Sequence, residues 1–400
     1  MRGLLIVNPQ ATSTRGNGAD LVARSLDGLV DLRVAYTRYR GHARELAASA
    51  AEDLVVVLGG DGAINEVVNG LRDRHRPGPG GAPLPLLAAI PGGGGNVFTR
   101  ALGLPPDAAK ASAKIRELLA AGEYRTIGLA LAGERYFTFS AGLGMDAEVV
   151  HHVEGLRARG HRESQALFVR AILRRYYSGT DRRRPALTLE RDGQPPVNGL
   201  FLGIVTNSAP WTYFRGRPLL PRPGVDFSSG LDVLALSRLN MPTILGLILQ
   251  MMRTTSRNGP PRGRHVLAAT GLDSFTIRCS RPTAFHVDGE YLGEVESVKF
   301  QFVPQALRVV SPCLFRGVHT KPPGPPGPPR TRPASHPARL APGPPRTRPR
   351  LAPGGWGARH LGICPSLGIR FPVVAWKIRA PWRKRGRKPA PKVPGGPFFP

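Results

Sequence analysis

Two glycine-rich loops are where residue types and spacing in this chain point to chemistry. The first lies in Leu54–Gly70, LVVVLGGDGAINEVVNG, where an apolar β-branched run enters Gly59-Gly60-Asp61-Gly62 and passes at once into a helical pattern. Glycines let the backbone turn tightly and leave its N–H groups uncovered, and the N-terminus of the following helix favours anions, so the loop is suited to cradling phosphate. Asp61 then faces the phosphates and serves through Mg2+ or a transferred proton. The same residues also fit an ordinary glycine turn with Asp61 as the helix cap, and short glycine motifs recur by chance. The second loop, IPGGGGNVFTR (Ile90–Arg100), again follows a strand pattern and precedes a helical one. In a doubly wound sheet such loops converge on one crevice, so the pair makes a nucleotide site more credible than either alone. Asn96 is placed to bind ribose or phosphate or, in the commoner alternative, to be a helix N-cap. Far along the chain, Asp288-Gly289-Glu290 sets two carboxylates around a glycine, which fits either a hairpin turn or an acid–base group presented to a cleft.

The elements that must position these loops follow from hydrophobic periodicity. Leu4–Val7, Leu32–Tyr36, Leu54–Leu58 and Leu86–Ile90 are short and nearly all apolar, as strands buried on both faces are. Between them Ala19–Leu29, His42–Ala51 and Ile64–Arg72 carry apolar residues at helical spacing. This alternation predicts an α/β, doubly wound parallel sheet with ligand sites at the strand C-termini. Arg76–Pro85 reads as a surface loop. From about Tyr124 the pattern changes to strands at Arg125–Leu131, Arg135–Ser140, Ala186–Glu190, Leu200–Thr206, Leu231–Leu236, Ser274–Arg278, Thr283–Val287 and Ser297–Val303. Asp192-Gly193 is a hairpin dipeptide, and two helices interrupt at Glu148–Arg157 and Gln165–Tyr177. Gln305–Val310 closes this region or returns to the first domain. The expected organisation is a nucleotide-binding α/β domain over residues 1–124, a mostly antiparallel, sandwich-like β domain over 125–310, and a tail over 311–400.

Composition separates the tail from the body. The 400-residue chain has a net charge of +29, but from His319 onward there are 17 Lys and Arg, no Asp or Glu, and half of the 42 prolines. Without periodicity to fold on, the tail is expected to be disordered, or to be the product of a shifted reading frame; it is assigned no function. No specific nucleic-acid partner is expected, since bulk charge is a poor guide to what the body binds. Three cysteines without paired spacing argue against a disulfide scaffold and a thiolate zinc site. Met241–Met252 is too short to cross a bilayer and the N-terminus has no signal-peptide pattern, so a cytoplasmic location is expected.

Asn8-Pro9, Gly59–Gly62 followed by Asn65-Glu66, Pro91-x-Gly-x-x-Asn96 and Asp288-Gly289-Glu290, taken in order, resemble the diacylglycerol kinase catalytic-domain family. The likeness is to its bacterial lipid-kinase branch, related to sphingosine and ceramide kinases, and covers about residues 1–310. It implies an ATP-dependent lipid kinase that makes phosphatidic acid from diacylglycerol, with the active site between the two domains. NAD kinases and phosphofructokinases share GGDG but look less like this chain, because Asn65-Glu66 lies within one helical turn of the loop. The resemblance puts ATP on Gly59, Gly60, Asp61, Gly62, Ala63, Ile64, Asn65 and Glu66, with Thr37, Gly94 and Asn96 beside it. Ala63 and Gly94 stand where the family has hydroxyl residues. That departure keeps a catalytically weak nucleotide- or lipid-binding protein as a rival, next to a soluble sugar or dinucleotide kinase. Glu290 or Asp288 is the implied base, with Asp61 and Mg2+ at the phosphates. A structural Mg2+ is implied at Asp226, Ser229 and the Leu231 carbonyl. Peripheral contact with an anionic membrane at its inner face is expected through Met241–Met252 and Arg253, Arg257, Arg262 and Arg264, unless that helix is core. Trp211, Tyr213 and Phe214 line an acyl groove or are core, and a homodimer is allowed.

Overall fold

The computed structural model describes residues 1–9, 17–74, 84–161, 165–214, 216–254 and 259–312. All of these belong to one compact unit, Met1–Gly324. The tail from 313 on, Arg257 and most of the Arg76–Pro85 loop lie outside the described residues.

The first domain is built on parallel strands β1 (Arg2–Val7), β2 (Asp31–Tyr36), β3 (Leu54–Gly59) and β4 (Leu86–Pro91), joined through α1 (Gly18–Leu26), α2 (His42–Ala48) and α3 (Asp61–Arg74). The order across the sheet is β4-β3-β1-β2. β3 and β4 are buried along their whole length because helices cover both faces, and their side chains fill the first core with Leu4–Val7. β2 departs from the expected burial: it is the edge strand, and Val34 and Tyr36 are exposed. α1 ends three residues before its expected end, just ahead of Gly28 at φ +74. From β1 the chain moves out to β2 and then returns past β1 to β3, so the order reverses between β1 and β3. The C-terminal ends of those two strands therefore open the crevice in which such sheets bind ligands. Asn8 and Gly59-Gly60 stand at that point, with the Asn8 N–H on the Leu58 carbonyl at 3.1 Å. After β4 come α4 (Val97–Ala101) and α5 (Ala108–Ala120), the latter capped by the Asp107 carboxylate on the Lys110 N–H.

The second domain is mostly antiparallel. Its elements in chain order are β5 (Arg125–Ala132), β6 (Arg135–Phe137), β7 (Ser140–Gly144), α6 (Met145–Ala158), α7 (Gln165–Ser178), β8 (Leu187–Arg191), β9 (Gln194–Leu200) and β10 (Leu202–Thr206). They continue with β11 (Thr212–Phe214), β12 (Arg217–Leu219), β13 (Leu231–Leu236), α8 (Met241–Arg253), β14 (Val266–Leu272), β15 (Ser274–Val287) and β16 (Glu290–Val309). The runs expected as separate strands at 274–278 and 283–287 are one strand with a register shift. β16 likewise absorbs both Ser297–Val303 and Gln305–Val309. It pairs antiparallel with β15 and β5, and at Val309↔Leu87 it runs parallel to β4. The last strand thus returns to the first domain and joins both sheets into one hydrogen-bonded network. Its core side is filled by Phe275, Phe285 and Phe300, packed with Phe137.

Candidate active site

β3 and β4 deliver the two glycine loops to the same edge, and there the backbones touch. The Gly92 N–H donates to the Gly59 carbonyl at 2.8 Å. A Cβ on Gly92 would stand 2.8 Å from Gly59 Cα, and one on Gly93 2.8 Å from Gly60 Cα. Gly92 and Gly93 are therefore required for the two turns to pack against each other. Gly62 differs, because nothing lies within 4 Å of where its Cβ would be. It sits in the first turn of α3, whose leading N–H groups have no intrahelical acceptor.

Asp61, expected to face phosphate, is turned to the second loop. Its two oxygens accept the N–H groups of Val97 and Phe98, each at 3.0 Å. It thereby caps α4, the part expected of Asn96. Asn96 occupies the N-cap position at φ +49 but makes no side-chain cap bond. Its amide instead closes on Gly93, accepting that N–H and donating to that carbonyl, both at 2.8 Å. Asp61 thus braces the first loop against the second, while Asn96 closes the second loop on itself.

α3 turns a polar stripe toward the second domain. Asn65, Asn69 and Arg72 recur at helical spacing and are all buried. Asn65 Nδ2 donates to the Tyr136 carbonyl at 2.9 Å and to Asp288 Oδ2 at 2.8 Å, and its Oδ1 accepts Arg135 Nη2 at 2.8 Å. Asn69 exchanges two hydrogen bonds with the Tyr136 backbone, both 3.0 Å. Arg72 reaches the Ala306 carbonyl on β16 at 3.2 Å. The helix that follows the first glycine loop is thus sutured to β6 and β16.

Asp288-Gly289 is a two-residue hairpin loop, Val287 pairing with Glu290, with φ of +47 and +77 as a type I′ turn requires. Asp288 is 4% exposed and takes bonds from the Thr138, Phe139 and Ser140 amides, the Thr138 hydroxyl and Asn65. These amide bonds also explain why the expected strand Arg135–Ser140 divides into β6 and β7. Burial pushes the Asp288 carboxyl above its ordinary range, against the pull of these donors. Glu290 is arranged differently. Oε1 accepts Arg40 Nε at 2.6 Å and Oε2 accepts Arg135 Nη2 at 2.7 Å. Arg40 comes from the β2–α2 loop and Arg135 starts β6, so Glu290 lies where the two domains meet.

The remaining expected site residues separate. Thr37 follows β2 directly, its N–H on the Val7 carbonyl at 2.9 Å, beside the crevice. Gly94 is exposed and Ala63 half-buried, while Ile64 is core. Glu66 caps α2 through the Gly41 and Ala43 amides at 2.8 and 3.2 Å. Asp226 and Ser229 do meet, but as a turn closed on itself: Asp226 Oδ1 accepts the Ser228 N–H and both serine hydroxyls. Leu231 is buried and begins β13. All three of these bonds fall on Oδ1, and among the described residues no three His, Cys, Asp or Glu cluster to hold a metal. Tyr213 stacks under Arg100 at 3.1 Å from its ring centre, whereas Trp211 and Phe214 pack with α8. α8 is partly core, through Ile244, Leu247 and Met251. Residues that sequence reasoning missed are Arg40, Arg135 and Asn69. Asn69 had a readable signal, a second Asn four residues after Asn65 and so on the same face of the helix.

Residues 2–129 match the family model described as the diacylglycerol kinase catalytic domain. That stretch, the domain with both glycine loops, is similar to the diacylglycerol kinase catalytic-domain family. The chain is 29% identical over 283 residues to a diacylglycerol kinase of Bacillus subtilis, across 68% of this chain and 82% of the relative. A diacylglycerol kinase of Staphylococcus saprophyticus is 32% identical over 159 residues, which is 37% of this chain and 47% of the relative. The crystal structure of a diacylglycerol kinase from Bacillus anthracis superposes with a TM-score of 0.55 at 20% identity, covering 78% of this chain and 97% of that one. At that identity the likeness speaks for the fold. The family match contains both glycine loops and stops before Arg135 and the Asp288 hairpin.

Proposed function

We propose that this chain is a lipid kinase that transfers the γ-phosphate of ATP to the hydroxyl of a membrane lipid, with diacylglycerol as acceptor and phosphatidic acid as product. The observation that carries the reading is the place of Glu290: a carboxylate held between Arg40 of the domain with the glycine loops and Arg135 of the β domain. Gly60–Gly62, at the start of α3, and the borders Thr37 and Gly94 are the residues that hold the triphosphate. Mg2+ bound with ATP would offset phosphate charge beside Gly60–Gly62. Glu290 orients the lipid hydroxyl and accepts its proton, for which it must come within about 3 Å of that oxygen. Arg40, whose side chain is 63% exposed, is the partner best able to leave Glu290 for the anionic substrates. Asp288 and Asn65 are positioning residues that fix the hairpin. Contact with an anionic membrane brings the acceptor within reach.

The test is transfer of labelled phosphate from ATP to diacylglycerol in mixed micelles with Mg2+. Labelled phosphatidic acid that disappears in Glu290→Gln supports the reading. Label in a water-soluble acceptor, or unchanged turnover in Glu290→Gln, overturns it. ATP binding without transfer favours the nucleotide-binding alternative suggested by Ala63 and Gly94.

A further inference from the structure

The β15–β16 hairpin that carries Asp288 and Glu290 is irregular at its root. Phe285 pairs with Gly293 but His286 pairs with Tyr291, so Leu292 is an extra residue on β16. Such a bulge interrupts the ladder and bends the strand, and bulges are common beside active sites, where they re-aim a side chain. Glu290 follows this pattern, since it lies on the tip side of the bulge, one residue from Tyr291. The ladder alone therefore leaves the direction of Glu290 open.

α6 meets both strands at that point. Asp146 lies in its first turn, and Asp146 Oδ2 is 2.8 Å from His286 Nε2 on β15. An ionised carboxylate only accepts, so Nε2 carries the proton and donates. The His286 ring is 3% exposed, and its Nδ1 has no partner among the described residues, so Asp146 is what fixes it. β7 makes room for the pair: Gly142 is the cross-strand neighbour of His286, and a Cβ there would run into both Asp146 Oδ2 and His286 Nε2. About two turns further along α6, Glu154 Oε1 accepts the Tyr291 N–H of β16 at 3.2 Å. Between them the His151 ring packs 4.1 Å from that of Tyr291, centre to centre. One helix thus holds β15 by one carboxylate and β16 by another, on the cross-strand pair that borders the bulge.

We propose that Asp146 and Glu154 are positioning residues for the transfer reaction, through which α6 clamps the hairpin at its bulge and aims Glu290. This rests on the reading of Glu290 as the base. Burial acts to lower the Arg40 pKa, but Glu290 and then Glu154 outweigh it and hold it above its ordinary value. Glu154 thus also steadies the partner of the base, so the link to break is that of Asp146. Asp146→Ala and His286→Leu break it from opposite ends, while Asp146→Asn keeps an oxygen to accept from Nε2. Hydrogen exchange in the full chain is followed by mass spectrometry over residues 287–294 and, for comparison, 297–303. Both breaking variants should exchange about tenfold faster or more over 287–294 and as the wild type over 297–303, with Asp146→Asn unchanged in both. Their kcat for phosphate transfer should fall about tenfold or more with the KM for ATP unchanged, since a displacement of about 1 Å costs up to about 10²-fold. Unchanged exchange over 287–294, equal acceleration in both segments, or failure of both breaking variants to fold overturns the inference. The exchange readout needs no turnover. A fully active Glu290→Gln would remove the base and leave the clamp standing, whereas an inactive Glu290→Gln beside a wild-type kcat in Asp146→Ala would overturn the clamp alone.

Discussion

Asp288 and Glu290 are two residues apart and chemically alike, yet the geometry assigns them opposite consequences when each is made neutral. In Asp288→Asn the amide nitrogen must replace one carboxylate oxygen. At the Oδ1 position it faces the amides of Phe139 and Ser140; at Oδ2 it faces Thr138 and Asn65. Either way at least two donors lose their acceptor in a site that is 4% exposed. Each buried donor left unpaired costs about 1–3 kcal/mol, so the variant should lose about 2–6 kcal/mol of unfolding free energy. Glu290→Gln keeps one oxygen for an arginine, and its other partner, Arg40, is largely exposed, so its stability should change by under about 1 kcal/mol. Its kcat should instead fall about 10²-fold or more with ATP binding retained, as loss of a general base does. Chemical denaturation and steady-state kinetics on the two variants read both quantities. A stable Asp288→Asn enzyme with the larger loss of kcat would refute the assignment and make Asp288 the base.

The glycine loops give a second contrast. Gly92→Ala places a Cβ 2.8 Å from Gly59 Cα and should destabilise the fold by about 1–3 kcal/mol, while Gly62→Ala meets nothing and should leave the melting temperature unchanged but weaken ATP binding. Equal melting temperatures for the two would show that the loops do not pack as described. Asp61→Asn removes an acceptor from either Val97 or Phe98 and should raise the Kd for ATP by loosening the second loop; full affinity in a calorimetric titration would count against that brace. Partial burial favours the neutral form of Asp226, but the Ser228 and Ser229 donors outweigh it and hold the carboxyl below its ordinary range. Its stabilisation is complete above the unfolded aspartate value of about 3.9 and is lost as pH falls through the lower folded value. The gap in denaturation midpoint between the wild type and Asp226→Asn should therefore close in acid, and a gap that widens there contradicts the linkage.

The legible parts of this fold were those whose signal is local. The β3 run is apolar because it is covered on both faces, and its residues alone say so. Asp288-Gly289 announces a hairpin because both positions must take positive φ, which Asp tolerates and Gly prefers. What stayed hidden depends on partners distant in sequence. Arg135 reads as one more charged residue at a strand end until Asn65 and Glu290 are brought to it from opposite directions along the chain. The exposure of β2 follows from its place at the edge, which order along the sequence does not disclose. A carboxylate after Gly-Gly suits a phosphate site or a helix cap, and that is all the sequence says of Asp61. Only the fold reveals that α4, one strand over, begins with two amides in its reach.

The two halves of the site are held by two tethers of different kinds. β16 begins at Glu290, the proposed base, and ends beside β4, the strand that carries the second glycine loop. α3 begins at the first glycine loop, and along its length Asn65, Asn69 and Arg72 bond to β6, to the Asp288 hairpin and to β16. One tether is continuous backbone and the other is a row of buried hydrogen bonds, so rotating one domain against the other would break several of them at once. Adjustment to substrates therefore falls to parts that neither tether holds. Arg40 is the clearest of these, since its exposed side chain reaches Glu290 from the edge loop after β2. Moving Arg40 alone would free Oε1 of the proposed base, with Oε2 still on Arg135, while the glycine loops and the hairpin keep their places.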